Sequence, residues 1–237
     1  MPDFSGVLSY VGRRQRLASA LLRPFLRLSP LLYHFWYYHN YVQGTTQWMG
    51  VSTQKSVSDM WNYQEIIFNL KPSLIVEFGT CRGGSALFFA GLMRQMGHPF
   101  RVFSVDVSSS LITPAAAADK NIELMTVSST DVSVTSRIKS LRKEFPGPIF
   151  AILDSDHSKA HVLNEMLSLR DVLQAGDYLI IEDANVNGHP VLLGHGPGPY
   201  EAMTEYFKRF PDDYRRDAER EKKFGFTFAT KGYLIRR

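Results

Sequence analysis

Leu74-Ile-Val-Glu-Phe-Gly-Thr-Cys-Arg-Gly-Gly-Ser85 decides the fold. Leu74 to Val76 make a short apolar run that stops at a carboxylate and a glycine, the pattern of a strand buried on both faces. Gly79, Gly83 and Gly84 then supply a turn in which backbone can approach a ligand closely. A helix starting near Ser85 would aim unpaired N–H groups at the same point. In an open parallel sheet that point is the carboxyl edge, where ligands bind. The Gly-x-x-x-Gly-Gly spacing departs from the dinucleotide fingerprint and lacks the Lys-Ser/Thr pair of a phosphate loop. The turn by itself therefore marks a cofactor site without naming the cofactor.

Outward from this turn, strands and helices alternate. Ser56-Val-Ser-Asp59 fits a capping box for a helix running to about residue 70, which Lys71-Pro72 ends. Strand 74–78 leads to helix 84–96 and strand 101–105, which stops at Asp106. Strand 122–127 and a helix to about residue 144 follow. Pro146-Gly-Pro148 then introduces strand 149–153, helix 159–173 and strand 178–182. Alternation of this kind, with right-handed crossovers, gives an α/β fold with a doubly wound, mostly parallel Rossmann-like sheet. Residues 184–199, rich in Gly and Pro, are too long for a plain connection and suit a lid or binding loop. After a helix near 200–209, the alternation in 224–228 and 233–235 predicts a terminal antiparallel hairpin. Residues 1–47 are expected to be a helical, aromatic extension, and residues 48–237 the main α/β domain.

Charge is unevenly placed. The net charge of +4 arises within the first thirty residues, where Arg13, Arg14, Arg16, Arg23 and Arg27 face only Asp3; the rest holds 22 basic and 22 acidic side chains. A neutral body argues against a nucleic-acid groove. On a helical wheel Arg13, Arg16, Arg23 and Arg27 share one face and Leu17, Leu21, Phe25 and Leu28 another. That pattern can lie on an anionic membrane, but a solvated face or a subunit contact is the more ordinary role of an amphipathic surface helix. Arg23, Pro24 and Arg27 break the apolar run well before the roughly 20 residues of a membrane span. Tyr33-His-Phe-Trp-Tyr-Tyr-His39 is dense in aromatics, which usually bury against another element or a second subunit, so a homo-oligomer is expected. The single cysteine, Cys81, excludes an internal disulfide and suits a reducing compartment, the cytoplasm or the inner membrane face.

The chemistry-bearing residues sit where strands end. Asp106 lies about 20 residues beyond the glycines, where a carboxylate can take both ribose hydroxyls, though a strand-end Asp also serves turns. Asp154, Glu182 and Asp183 end two successive strands at the same edge. Three clustered carboxylates repel one another unless protons or a cation intervene, and a hard divalent ion with oxygen ligands is the natural solution. The bland alternative is that some of them cap the following helix. His157 stands three residues after Asp154 at this edge and is a candidate general base, with Asp156 able to orient it or only to cap a helix.

These residues carry a resemblance. Val76-Glu-Phe-Gly-Thr80, Gly83-Gly-Ser-Ala86, Ser128-Ser-Thr-Asp131, Ile152-Leu-Asp-Ser-Asp-His-Ser158 and Glu182-Asp183 resemble the cephalosporin-hydroxylase family of S-adenosylmethionine-dependent O-methyltransferases. So do Asn187-Gly-His-Pro190, Gly196-Pro-Gly-Pro-Tyr-Glu-Ala202, Arg220-Glu-Lys-Lys-Phe224 and Lys55-Ser-Val-Ser-Asp-Met-Trp-Asn-Tyr-Gln-Glu65. The likeness covers roughly residues 35–237 and is strongest to the branch that methylates rhamnosyl groups of glycolipids. It implies a class I methyltransferase with magnesium (Mg2+) on Asp154, Glu182 and Asp183. It also implies a methyl donor, S-adenosyl-L-methionine, against Glu77, Gly79, Ser85, Asp106 and Ser129, with His157 as base. Arg82, where relatives often show other residues, and Leu193-Gly-His195 in the lid are the places where the resemblance leads one to expect acceptor choice to be set. The expected activity is methyl transfer to a sugar hydroxyl of a glycolipid or related glycoconjugate. A nicotinamide-dependent oxidoreductase would share the sheet and Asp106 but leave the carboxylate cluster unexplained. A non-catalytic binding or assembly protein would use the aromatic N-terminal region instead.

Overall fold

The computed structural model describes residues 28–237 together with Leu22 and Phe25. The arginine-bearing helix expected before Leu28 lies, apart from those two residues, outside the described part. Helix α1 (Ser29–His39) leads through a 3-10 turn (Gln43–Thr45) to a small antiparallel ribbon of β1 (Gln47–Trp48) and β2 (Val51–Ser52). Helix α2 (Val57–Leu70) then enters the main alternation: β3 (Leu74–Phe78), α3 (Gly84–Met96), β4 (Arg101–Asp106), α4 (Pro114–Ala117) and β5 (Ile122–Thr126). It continues through α5 (Val132–Glu144), β6 (Ile149–Leu153), α6 (Lys159–Leu169), β7 (Tyr178–Ile181), α7 (Pro199–Arg209), β8 (Tyr214–Arg216), α8 (Ala218–Lys222) and β9 (Tyr233–Arg236).

The main sheet has the order β5-β4-β3-β6-β7-β9-β8. Strands β3 to β7 are parallel, and β9 runs antiparallel to both β7 and β8. Alternation along the buried strands sorts side chains into two layers. Leu74, Val76 and Phe78 join Val134 and Ile138 of α5, Met166 of α6 and Tyr206 of α7. Ile75, with Phe150 and Ile152 of β6, joins Tyr63 and Ile67 of α2 and Phe89 and Met93 of α3. Strand β3 is the switch point, since the chain winds first to β4 and β5 and then crosses to β6 and β7. Ligands bind at the carboxyl edge beside such a reversal.

Several boundaries differ from the sequence reading. The antiparallel pair at the C-terminus exists, but β9 pairs with Tyr214–Arg216 rather than with residues 224–228. The apolar alternation of 224–228 instead reflects packing: Phe226 and Phe228 are buried against Tyr37 of α1. Their backbone is taken up elsewhere, as Phe228 N–H donates to Asp59 Oδ2 at 2.7 Å and Asn185 N–H donates to the Phe228 carbonyl at 3.1 Å. Ser56 caps α2, accepting from Asp59 N–H, but the Asp59 carboxylate does not close a reciprocal box; it accepts from Tyr233 Oη at 2.6 Å and Phe228 N–H. Helix α6 stops at Leu169, and β7 stops at Ile181, one residue short of Glu182. The aromatic segment is α1, whose His34 and Tyr37 face the body while Leu32, Phe35 and Trp36 remain exposed.

Candidate active site

The parallel strands deliver their ends to one edge. Gly79 follows β3 with φ +101°, and a Cβ there would overlap the Asp154 carbonyl oxygen that follows β6. Only glycine lets these two chain segments approach so closely. Asp106 ends β4, Ser129 follows β5, and Glu182 and Asp183 follow β7. A cavity of about 620 Å³ opens along this edge, lined by Gly79, Ser85, Asp106, Ser129, Asp154 and His157 among others. That volume is in the range of small-molecule sites.

Of the five residues expected to face the donor, four line this cavity and Glu77 does not. Glu77 is fully buried behind it, pointing from β3 toward the α2 and α3 layer. Its Oε2 accepts from Ser104 Oγ at 2.7 Å while Oε1 has no hydrogen-bond partner, and burial pushes its carboxyl above the usual carboxylate range. Asp106 does two things at once. It borders the cavity, and its Oδ2 accepts from Cys81 N–H at 2.8 Å, bracing the glycine turn at a residue with φ +46°. Cys81 thus serves as a turn residue beside the cavity. Ser129 Oγ donates to the buried Glu165 and lies 2.9 Å from His161 Nε2, tying the β5 loop to α6.

Asp154, His157 and Asp183 each offer a ligand atom, and these atoms lie within 4.8 Å of one another. His157 Nε2 is 3.2 Å from Asp183 Oδ2. Asp183 takes a left-handed backbone, φ 50°, which non-glycine residues seldom adopt outside sites that over-determine it. Burial raises the Asp183 carboxyl, His157 opposes the rise and Asp154 adds to it. Glu182 turns inward and is 2% exposed; its Oε1 accepts from Tyr63 Oη at 2.8 Å and lies 3.2 Å from Lys55 Nζ.

Lys55 carried no assigned role in the sequence reading. Its side chain is 1% exposed, and the ammonium is hydrogen-bonded to Asp154 as well as paired with Glu182. Burial alone would lower its pKa, but Asp154, Glu182 and Glu77 outweigh that and hold it above the usual lysine value. The carboxylate cluster is therefore built around an internal cation, which makes the burial of Glu182 tolerable.

A second cavity, of about 200 Å³, lies beyond this cluster. Tyr38, Tyr41, Gln43, Leu192, His195 and Phe228 contribute to its walls. Gln54, His157 and Asp183 line both cavities, so they form the partition between them. The loop expected as a lid is pinned over its first half: Glu201 Oε1 accepts from Asn187 Nδ2 at 3.1 Å and meets His189 Nε2 at 2.9 Å, and the His189 and Tyr200 rings stack. Only its tip, around Leu192 and Leu193, stands exposed beside the second cavity.

Fold and site together define an S-adenosylmethionine-dependent O-methyltransferase built on the class I sheet. The chain belongs to the rhamnosyl O-methyltransferase/CmcI family, whose model matches residues 40–237. It is 53% identical over 229 residues to the rhamnosyl O-methyltransferase of Mycobacterium tuberculosis, covering 95% of this chain and 94% of the relative. To the Mycobacterium leprae protein of the same name it is 57% identical over 205 residues, 86% of this chain and 89% of that one. Among solved structures, CmcI with magnesium and S-adenosylmethionine aligns at a TM-score of 0.65 and 26% identity, covering 82% of this chain and 77% of that chain. With the family shown, the nicotinamide and non-catalytic readings fall away.

Proposed function

We propose that the protein transfers a methyl group from S-adenosylmethionine to a rhamnosyl hydroxyl of a glycolipid or related glycoconjugate, with magnesium at the carboxylate cluster. The observation that carries this reading is the partition: His157 and Asp183 border a large cavity on one side and a smaller, tyrosine-lined one on the other. The larger fits the donor, with Asp106 for the ribose hydroxyls, the glycine turn and Ser85 at the N-terminus of α3, and Ser129 at the far wall. The smaller fits a sugar, with aromatic rings for its apolar face and Gln43, Gln54 and His195 for its hydroxyls.

In the reaction the acceptor oxygen attacks the methyl carbon of the sulfonium. The O–C bond forms as the S–C bond breaks, and S-adenosylhomocysteine leaves. His157 Nε2 lies 3.2 Å from Asp183 Oδ2, so the hydroxyl proton passes to the other ring nitrogen, Nδ1. Asp183 orients the imidazole and stabilises the imidazolium that results. Asp154 and Asp183 would hold magnesium through carboxylate oxygens, with the buried Glu182 behind them, a donor set that suits a hard cation. Such an ion would supply stabilisation of the negative charge growing on the acceptor oxygen. Gly79 and Lys55 fix the distances, because the donor and acceptor must meet in line.

The test is incubation of the full chain with methyl-labelled S-adenosylmethionine, magnesium and a panel of rhamnosyl, fucosyl and mannosyl acceptors, with products read by mass spectrometry. Labelled rhamnosyl product supports the reading. Label on none of the sugars would overturn it.

A further inference from the structure

We propose that the outer face of α1 docks on an anionic lipid surface. The helix buries one side, where His34 and Tyr37 pack on the body. Its opposite side carries Leu28, Leu32, Phe35 and Trp36, all exposed, and Phe25 continues the same spacing at 65% exposure. Positions 25, 28, 32 and 35/36 recur at helical intervals and so form one stripe. Tyr33 and Trp36 stack on one another at 5.7 Å and are half-exposed. Rings with an apolar body and a polar tip favour the boundary between water and lipid. A contiguous apolar stripe of this kind marks an interaction surface.

Charge decides which partner covers it. Between Ser29 and His39 the helix contains no acidic side chain, nor any lysine or arginine. Immediately before it in sequence stand Arg13, Arg14, Arg16, Arg23 and Arg27, the source of the chain's net charge of +4. Anionic headgroups bring the opposite sign, and an apolar stripe flanked by arginines is the pattern of a helix lying in a membrane interface. Among the described residues, no helix is long and apolar enough to cross a membrane. The stripe therefore lies on lipid and does not span it. Beyond α1 the chain reaches Tyr41, which with Tyr38 lines the smaller cavity beside the exposed Leu192. A lipid-docked α1 would thus hold the mouth of that cavity close to a lipid-linked acceptor. The docking itself stands on the surface and does not depend on the acceptor's identity.

The test is flotation of the full chain with phosphatidylcholine vesicles, with and without phosphatidylglycerol, together with tryptophan emission and light scattering. The parent should bind only the phosphatidylglycerol vesicles, less so as salt rises, with emission shifted to the blue. The triple variant Leu32→Ser, Phe35→Ser, Trp36→Ser should lose at least about tenfold in binding. Trp36→Phe should keep binding and lose the blue shift, which separates Trp36 from Trp48 and Trp61. Absence of parent binding, or equal binding by the triple variant, would overturn the proposal. So would a dimer in solution that the triple variant dissolves, because a second copy would then be the occupant.

Discussion

Lys55 Nζ lies 3.2 Å from Glu182 Oε1, and both side chains are almost wholly buried beneath the carboxyl edge of the sheet. The same ammonium bonds Asp154, so one lysine joins the ends of β6 and β7 to the start of α2. Removing one member of a buried charged set leaves the others uncompensated, a loss of about 3–5 kcal/mol. Lys55→Met should therefore lower stability to urea by that order. Magnesium should raise the melting midpoint of Lys55→Met more than that of the parent, because the ion then replaces a missing cation. Equal stability of variant and parent would remove the counter-ion role.

Asp106 serves the donor and the turn together, and two substitutions separate these roles. Asp106→Ala should weaken S-adenosylmethionine binding by about 1.5–3 kcal/mol, the range for hydrogen bonds to a charged group. Asp106→Asn keeps an oxygen for Cys81 N–H and should lose less. Calorimetry reads both, and unchanged affinity in Asp106→Ala would withdraw the ribose assignment.

The packing of α1 on the protein body is predicted to weaken in acid through His34. Burial lowers its pKa from 6.5 to about 4, and its Nε2 accepts from Asn185 Nδ2 at 2.9 Å, which requires the neutral ring. Once released, the ring takes a proton near pH 6.5. The stability from neutral His34 is therefore complete above that pH and is lost as pH falls toward 4. The loss amounts to at most about 3 kcal/mol. Thermal midpoints of the parent should drop across this window more than those of His34→Gln, whose amide can still accept from Asn185. Parallel pH profiles would contradict the assignment.

Strand β3 and helix α3 match the sequence reading residue for residue, because a fully buried run followed by glycines is a local signal. Asp154, Glu182, Asp183 and His157 were legible as a group because parallel strands of similar length end at one edge, but the inward turn of Glu182 toward Tyr63 and Lys55, away from the other three, was not. Lys55 was not legible. It stands just before a helix cap, where lysines usually face water, and only the crossing of α2 beneath β6 and β7 carries it to the cluster. Residues 224–228 misled because packing on α1 produces the same alternation as a strand. Gln43, Gln54 and Tyr41 come from irregular segments with no periodicity to read, so the smaller cavity emerged only in three dimensions.

The partition between donor and acceptor is tested most directly by steady-state kinetics of His157→Ala on a rhamnosyl acceptor, alongside calorimetry with S-adenosylmethionine. A general base contributes typically about 10²–10⁴-fold, so kcat should fall by that factor while donor affinity stays at the parent's value. An unchanged kcat in His157→Ala would contradict the account and pass the proton to another group, with Asp156 the next to test.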